Sequence, residues 1–283
     1  MVIFTNLSEL QLFLSQQRNE GKTIGLVPTM GALHAGHMSL IKGCKKENDL
    51  AICNIYVNPT QFNNASDLQL YPRTLETDCQ LLEEAGCDIV FVPSNEIIYP
   101  SLPKLRFDFG HLERVMEGKF RPGHFNGVGL IVSKLFHMMQ PNRAYFGQKD
   151  IQQFLIIRQM VIDLSFNLQL VCCPIMREVD GLAMSSRNTR LTLTQRQQAP
   201  VLHQALLKAQ KMLFIEGVSD TKQAIHEYFA TLADNDLRLE YFEIVDGEDL
   251  REVKNVQEHV QVALCIAAYL GEVRLIDNVL LFS

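Results

Sequence analysis

The sequence predicts an α/β protein, with a parallel sheet covered by helices on both faces and a smaller α+β unit after it. Three observations lead there. Short apolar runs alternate with helix-like segments through the first half of the chain. Residues that favour turns (glycine, proline, asparagine) tend to fall where a run or helix stops. After about residue 190 this rhythm gives way to amphipathic helices and then to alternating strands.

Taken in order, "TIGLVPT" is a buried strand, residues 37–46 a helix, and "LAICNIYVNP" a second strand stopped by Asn58-Pro59. Residues 74–85 carry Leu75, Cys79 and Leu82 at helical spacing and end at Gly86; "DIVFVP" is the third strand. Residues 126–139 form an apolar helix, "RAYFG" a strand, 152–164 a helix, and "LQLVCCP" a further strand. In the second part, Thr194 with Gln197 matches a capping box. Leu202, Ala205, Leu206, Ala209, Met212 and Leu213 share one face of the helix that follows, which ends at Gly217. Pro200 falls inside that helix and is expected to bend it. A helix over 222–232 and the strands "LRLEYFEIV", "VQVALCIA" and "RLIDNVLL" complete the unit, with a boundary near 176–190.

Composition narrows the function. The chain has 283 residues, is 47% hydrophobic and 20% charged, and contains no low-complexity tract, as expected of an ordered globular protein. A formal charge of −6 without any Lys/Arg block argues against nucleic acid as a partner. The start, "MVIFTNLSELQ", turns polar too soon for a signal peptide, and no run approaches the roughly 18 apolar residues of a membrane span. The seven cysteines include no CxxC, so they are expected to be buried free thiols in a reducing cytoplasm.

Parallel sheets bind ligands beyond the carboxyl ends of their strands. The segments there are "PTMGALHAGH", "NPTQF", "GQKD" and "PIMREVDGLAMSSRN". In the first, Gly31 and Gly36 flank a turn into a helix whose N-terminus offers N–H groups and a positive dipole end to phosphate. His34 and His37 add imidazole donors there. The same HxxH spacing also suits a zinc pair or plain structure, although no third ligand is close in sequence. Neither standard phosphate loop, GxxxxGK[ST] or GxGxxG, follows the first strand. Lys149, directly after a strand, puts an ammonium at the sheet rim, while Asp150 and Gln153 have the spacing of a helix cap and its partner. Ser185, Ser186 and Arg187 suit phosphate oxygens, the guanidinium in bidentate fashion, or else form a polar interdomain turn. Asn58 and Gln61 suit a polar, uncharged substrate group.

These residues resemble first the HxGH motif of the nucleotidyltransferase superfamily that includes class I aminoacyl-tRNA synthetases. Together, "PTMGALHAGHMSL", "YVNPTQF" with "YPRTLETD", "ERVMEGKFRPGHFNGV", "KLF", "FGQKDIQQ", "REVDGLAMSSRN" and "RLIDN" resemble the pantoate–β-alanine ligase family, almost end to end and in order. The departures are Tyr56, where Phe is commoner, and Gln148, where an acidic residue is usual. The resemblance implies a Rossmann-like ATP- and pantoate-binding domain over 1–177 and a smaller α+β lid domain over 178–283. It implies condensation of (R)-pantoate with β-alanine through a pantoyl adenylate, with Mg-ATP as substrate, no dedicated protein metal site, and a cytoplasmic homodimer that engages neither nucleic acid nor membrane. The alternative is another HxGH adenylyltransferase.

By position, His34, His37, Lys149 and Arg187 would be catalytic, with His37 the proton donor. Met30, Gly31, Ala32, Leu33, His34, Ala35, Gly36 and His37 would line ATP, as would Gly147, Gln148, Lys149, Asp150, Met176, Met184, Ser185, Ser186 and Arg187. Gln61, Gln153 and Asn58 would hold pantoate, and Gln61 would also touch β-alanine. Tyr71 and Arg121 are weaker candidates for the pocket and its lid.

Overall fold

The computed structural model describes residues 1–63, 68–232 and 236–282. By internal contacts the chain forms two compact units: Met1–Gly147 with Gln153–Pro174, and Gln148–Gln152 with Ile175–Ser283. A single cut after residue 177 leaves Gln148–Gln152 in the first domain, whereas these five residues group with the second unit.

The first unit is built on a six-stranded parallel sheet in the order β1-β4-β3-β2-β5-β6. The strands are β1 (Val2–Phe4), β2 (Ile24–Thr29), β3 (Leu50–Ile55), β4 (Ile89–Phe91), β5 (Arg143–Gly147) and β6 (Gln169–Cys173). The helices are α1 (Leu7–Asn19), α2 (Ala35–Glu47), α3 (Leu75–Glu84), the short α4 (Asn95–Ile98) and α5 (Met116–Phe120), α6 (His124–Met139) and α7 (Ile151–Asp163). Alternate strand residues feed two cores. Leu26, Ile52, Phe91, Ala144 and Phe146 face α1, α6 and α7, while Val27, Cys53, Val90 and Tyr145 face α2 and α3. Helices therefore cover both sides of the sheet, which explains why its strands read as continuous apolar runs.

Strand order reverses between β2 and β5, so the crevice of this sheet opens where those two strands end. The β2–β5 ladder covers Gly25↔Arg143 and Leu26↔Ala144 and then stops, while β2 stays paired with β3 as far as Thr29↔Ile55. Pro28 sits in the section that has lost β5 and has no N–H to leave unpaired.

The opening β1 and α1 had no strong sequence signal. Val2 and Ile3 are 47% and 51% exposed on a three-residue edge strand, so no buried face marks it. For α1, Asn6 caps by accepting the Ser8 and Glu9 N–H, and Leu10 and Leu14 are fully buried. Each of those two leucines contributes about 2 kcal/mol.

In the second unit, α8 (Leu193–Gln198) and α9 (Val201–Thr231) precede an antiparallel sheet of β7 (Leu237–Asp246), β8 (Gln261–Leu270) and β9 (Val273–Phe282). Ala205, Leu206, Ala209 and Leu213 pack with Phe242, Ile244, Leu264 and Ile266. The capping box is Thr192 with Gln195, two residues earlier than expected. Pro200 limits α8 to Gln198, and the earlier cap gives the helix two more residues before that stop. Pro200 also does not bend one helix: it precedes Val201 as the cap of the next. Gly217, at φ 82° and ψ 178°, breaks helical geometry inside α9, where the sequence placed a helix end.

Candidate active site

Past Thr29 the chain turns through two left-handed residues, Gly31 (φ 80°) and Ala32 (φ 51°). Glycine takes this conformation freely, whereas alanine is held in it against a cost of about 1–2 kcal/mol. The holder is Asp78, a 1% exposed carboxylate on α3. It accepts the N–H of Ala32 at 2.9 Å and of Leu33 at 2.8 Å, and the Thr74 hydroxyl at 3.2 Å. A Cβ at Gly31 would lie 3.0 Å from Asp78 Oδ2, so a side chain there would crowd the carboxylate as well as strain the left-handed backbone.

The turn delivers His34 to the N-cap of α2. His34 Nδ1 accepts the Gly36 N–H at 3.2 Å, and His37 Nδ1 accepts the His34 N–H at 3.3 Å. The HxxH spacing is thus a capping box made of two imidazoles, with ring centroids 4.1 Å apart. Because both Nδ1 atoms accept, each neutral ring carries its proton on Nε2. The main-chain N–H groups of Gly31, Ala32, Leu33, His34 and Gly36 all have partners within the protein, which is fewer open donors than the sequence implies for this turn.

Beside it, past the end of β3, Asn58 caps a 3₁₀ turn, Pro59–Gln61. Asn58 is 1% exposed, and its amide hydrogens go to Gln61 Oε1 (3.0 Å) and Gly127 O (3.2 Å). Its oxygen accepts from the Thr60 hydroxyl and from Tyr99. No amide hydrogen of Asn58 is left for a substrate, so this candidate instead orients its neighbour. Gln61 is 8% exposed and gives an amide N–H to Met30 Sδ at 3.0 Å, joining the loops after β2 and β3. Thioether sulfur is a weak acceptor, so a better one can displace it.

The 3₁₀ turn is seated on α6 at Gly127, where a Cβ would lie 2.3 Å from Thr60 O. It is also held by buried His124, whose Nδ1 donates to Gln61 O at 2.8 Å while its Nε2 accepts from Arg121 at 3.2 Å. These partners fix the neutral Nδ1–H tautomer. Arg121 in turn pairs with Glu117 at 3.8 Å. Tyr71 is buried edge-on against Phe62. Gln153 lies half-buried on the first turn of α7.

In the second unit, Gln148–Asp150 form a 3₁₀ turn directly before Ile151, and Lys149 Nζ lies 3.6 Å from Asp150 Oδ1. The Gln148 side chain turns onto Asn278 at 3.1 Å. The Met184 N–H donates to Met176 O at 3.0 Å, and Ser185 caps the 3₁₀ turn Ser186–Arg190 by accepting the Arg187 N–H. That cap uses a lone pair of Ser185 and not its hydroxyl hydrogen.

The geometry thus joins Met30, Asn58 and Gln61 in one group, and pairs His34 with His37, Lys149 with Asp150, and Met176 with Met184. Sequence reasoning gave no role to Asp78, Tyr99, His124, Arg177 or Asn278, although "YPRTLETD", "RPGHF" and "RLIDN" had stood out. Among the described residues, no group of three or more His, Cys, Asp or Glu is placed to hold a metal ion. No helix among them is long and apolar enough to cross a membrane.

A family model described as pantoate-beta-alanine ligase matches residues 2–280. A pantothenate synthetase of Phocaeicola vulgatus is 51% identical over 280 residues, covering 99% of each chain. The crystal structure of pantothenate synthetase from Thermus thermophilus superposes with a TM-score of 0.91 at 40% identity, covering 99% of both chains. Pantoate-beta-alanine ligase from Francisella tularensis, complexed with beta-gamma ATP and beta-alanine, gives 0.81 at 37% identity over 99% of this chain and 97% of its own. With that match running through nearly every residue, and with the histidine turn at the reversal point of the sheet, the chain belongs to the pantoate-beta-alanine ligase family.

Proposed function

We propose that the chain condenses (R)-pantoate with β-alanine in two steps, taking Mg-ATP as substrate. In the first, a pantoate carboxylate oxygen bonds to the α-phosphorus and the bond to the β-phosphate oxygen breaks, giving pantoyl adenylate and pyrophosphate. In the second, the neutral amine of β-alanine attacks the acyl carbon, AMP leaves, and the amine sheds a proton. The observation that carries this reading is the pair of imidazoles at the end of β2, hydrogen-bonded so that both present Nε2–H, next to a glutamine held at Met30.

A carboxylate is a weak nucleophile, so most of the work is holding it in line with phosphorus, which can supply roughly 7–11 kcal/mol. The remainder is stabilisation of charge arriving on the pyrophosphate. In this reading His34 and His37 hydrogen-bond to the phosphates, with His37 the donor to the departing oxygen. Lys149 neutralises the triphosphate, and Ser185, Ser186 and Arg187 close on it. Met30 to Leu33 and Met176 line the nucleotide, the latter through its backbone. Gln61 and Gln153 hold pantoate, Gln61 trading its thioether for a substrate oxygen. The Mg2+ travels with ATP. The working form is a cytoplasmic homodimer.

The test incubates the protein with ATP, with and without pantoate and β-alanine. Pyrophosphate release that needs pantoate, and pantothenate formation that needs both acids, support the reading. AMP formation indifferent to both acids sinks it.

A further inference from the structure

One side chain outside the roles just described reaches the nucleotide-handling part of the second unit. Asn278 lies on β9, paired across the sheet with Cys265, and is 2% exposed. Its Nδ2 donates to two consecutive carbonyls, Gln148 O and Lys149 O, each at 2.9 Å. Its Oδ1 accepts from Gln148 Nε2 at 3.1 Å. All three polar groups of one amide are therefore spent on two adjacent residues.

The arrangement is directional. A glutamine amide at 148 can donate to Asn278 Oδ1, which turns the Asn278 N–H groups toward the carbonyls; a carboxylate there has no hydrogen to give. Two carbonyls fixed by one rigid amide set the peptide planes on either side of the Lys149 Cα. They thereby set the direction in which its side chain leaves the backbone.

Asn278 is itself held. Its N–H donates to Asp277 Oδ1 at 2.8 Å, and its carbonyl accepts from Arg177 Nη2 at 3.3 Å. Asp277, 4% exposed, takes Arg177 in bidentate fashion at 2.6 and 2.9 Å. A bidentate pair fixes orientation as well as distance. Arg177 also donates to Gly181 O at 3.0 Å and bridges to Ala183, in the segment that runs on to Ser185. One network thus fastens the Lys149 turn and the stem of the Ser185–Arg187 loop to β9.

We propose that Asn278 is a positioning residue for ATP activation: it orients Lys149 through the Gln148 and Lys149 carbonyls, with Gln148 orienting the amide and Arg177–Asp277 anchoring it. The inference rests on the reading that Lys149 meets the ATP phosphates.

The test uses the full chain and four variants: Asn278→Asp, Gln148→Ala, Lys149→Ala and the Asn278→Asp/Lys149→Ala double. Asn278→Asp keeps the shape and the acceptor but removes both donors; Gln148→Ala removes only the orienting bond. Three quantities are read: affinity for a β,γ-nonhydrolysable ATP analogue, pantoate-dependent ATP–pyrophosphate exchange, and the KM for β-alanine. Asn278→Asp is expected to weaken analogue binding and slow exchange by about tenfold. Gln148→Ala should do so by less, and both should leave the β-alanine KM unchanged. In the Lys149→Ala background, Asn278→Asp should add no further loss, because the two act on one interaction.

A folded Asn278→Asp protein with unchanged analogue affinity and exchange overturns the proposal, as does a double variant whose losses multiply. Rates lowered together at unchanged KM values and unchanged analogue affinity, the mark of a general packing defect, also overturn it. Should Asn278→Asp fail to fold, Gln148→Ala decides by the same measurements. If Lys149→Ala alone binds the analogue and exchanges normally, the role of Lys149 falls and this inference with it. That result is distinct from a defective Lys149→Ala beside a normal Asn278→Asp.

Discussion

Asp78 accepts the backbone N–H of Leu33 at 2.8 Å, so a carboxylate on α3 holds the turn that ends in the catalytic candidate His34. The bond links residues 45 positions apart and, with the Ala32 bond, occupies both carboxylate oxygens. Asp78→Asn replaces one of the two acceptor oxygens with an amide NH2 that faces a backbone N–H donor. It is expected to cost about 2 kcal/mol of stability and to slow pyrophosphate exchange more than the lowered melting temperature explains at the assay temperature. A stable variant with normal exchange would remove Asp78 from the site.

His37 has two duties that substitutions can separate. His37→Ala loses the cap and the Nε2–H; it should destabilise α2 by about 1 kcal/mol and lower adenylation by at least about a hundredfold. His37→Asn retains an acceptor near the Nδ1 position, so its melting temperature should stay near that of the parent while adenylation remains lost. Near-normal turnover by folded His37→Asn would refute the role of Nε2.

Gln61 is fixed by Asn58 and Met30 in the first unit. Gln61→Ala is expected to raise the KM for pantoate well above any change in the KM for ATP. Steady-state kinetics with each substrate varied in turn checks the order; a larger ATP effect would misplace pantoate.

His203 packs against Gly181, where a Cβ would lie 2.3 Å from the ring nitrogen. Burial, with the Arg177 guanidinium nearby, lowers its pKa below the ordinary 6.5, while Asp277 opposes the shift. A lowered folded pKa favours the neutral ring in the folded state. Its stabilisation is complete above about pH 6.5 and is lost as pH falls from there toward the folded value. Melting temperature should drop over that interval, and the slope should be shallower in His203→Phe. Equal slopes would exclude this group.

Burial pushes the Cys44 thiol up to about 12 and Cys87 to about 11, and raises Cys53 well above the usual range. Thiolate is the reactive form, so these three should resist alkylation at neutral pH until the chain unfolds. Mass spectrometry of pulse-labelled native and denatured protein reads this directly; rapid native labelling of Cys53 would contradict the packing around it.

The sheet was legible because burial on both faces writes itself into sequence as short apolar runs, and "RAYFG" coincides with β5 residue for residue. The glycine–histidine turn was legible as a site, since HxxH before a helix stands out in any reading. Its capping geometry was not, because the same spacing serves a metal, an anion or a cap. Short elements such as β1 were missed because an exposed edge strand carries no buried face.

By itself the sequence determined the doubly buried strands and the longer amphipathic helices, though not β1 or α1, and which loops gather polar groups after the strands, because periodicity acts over a few residues. Tertiary structure decided what holds those groups. Asp78 reaches Ala32 across 46 positions, His124 reaches Gln61 across 63, and Asn278 reaches Gln148 across 130. No local pattern encodes such partners. They are chosen when a buried polar group must find a hydrogen bond and the folded chain brings it one.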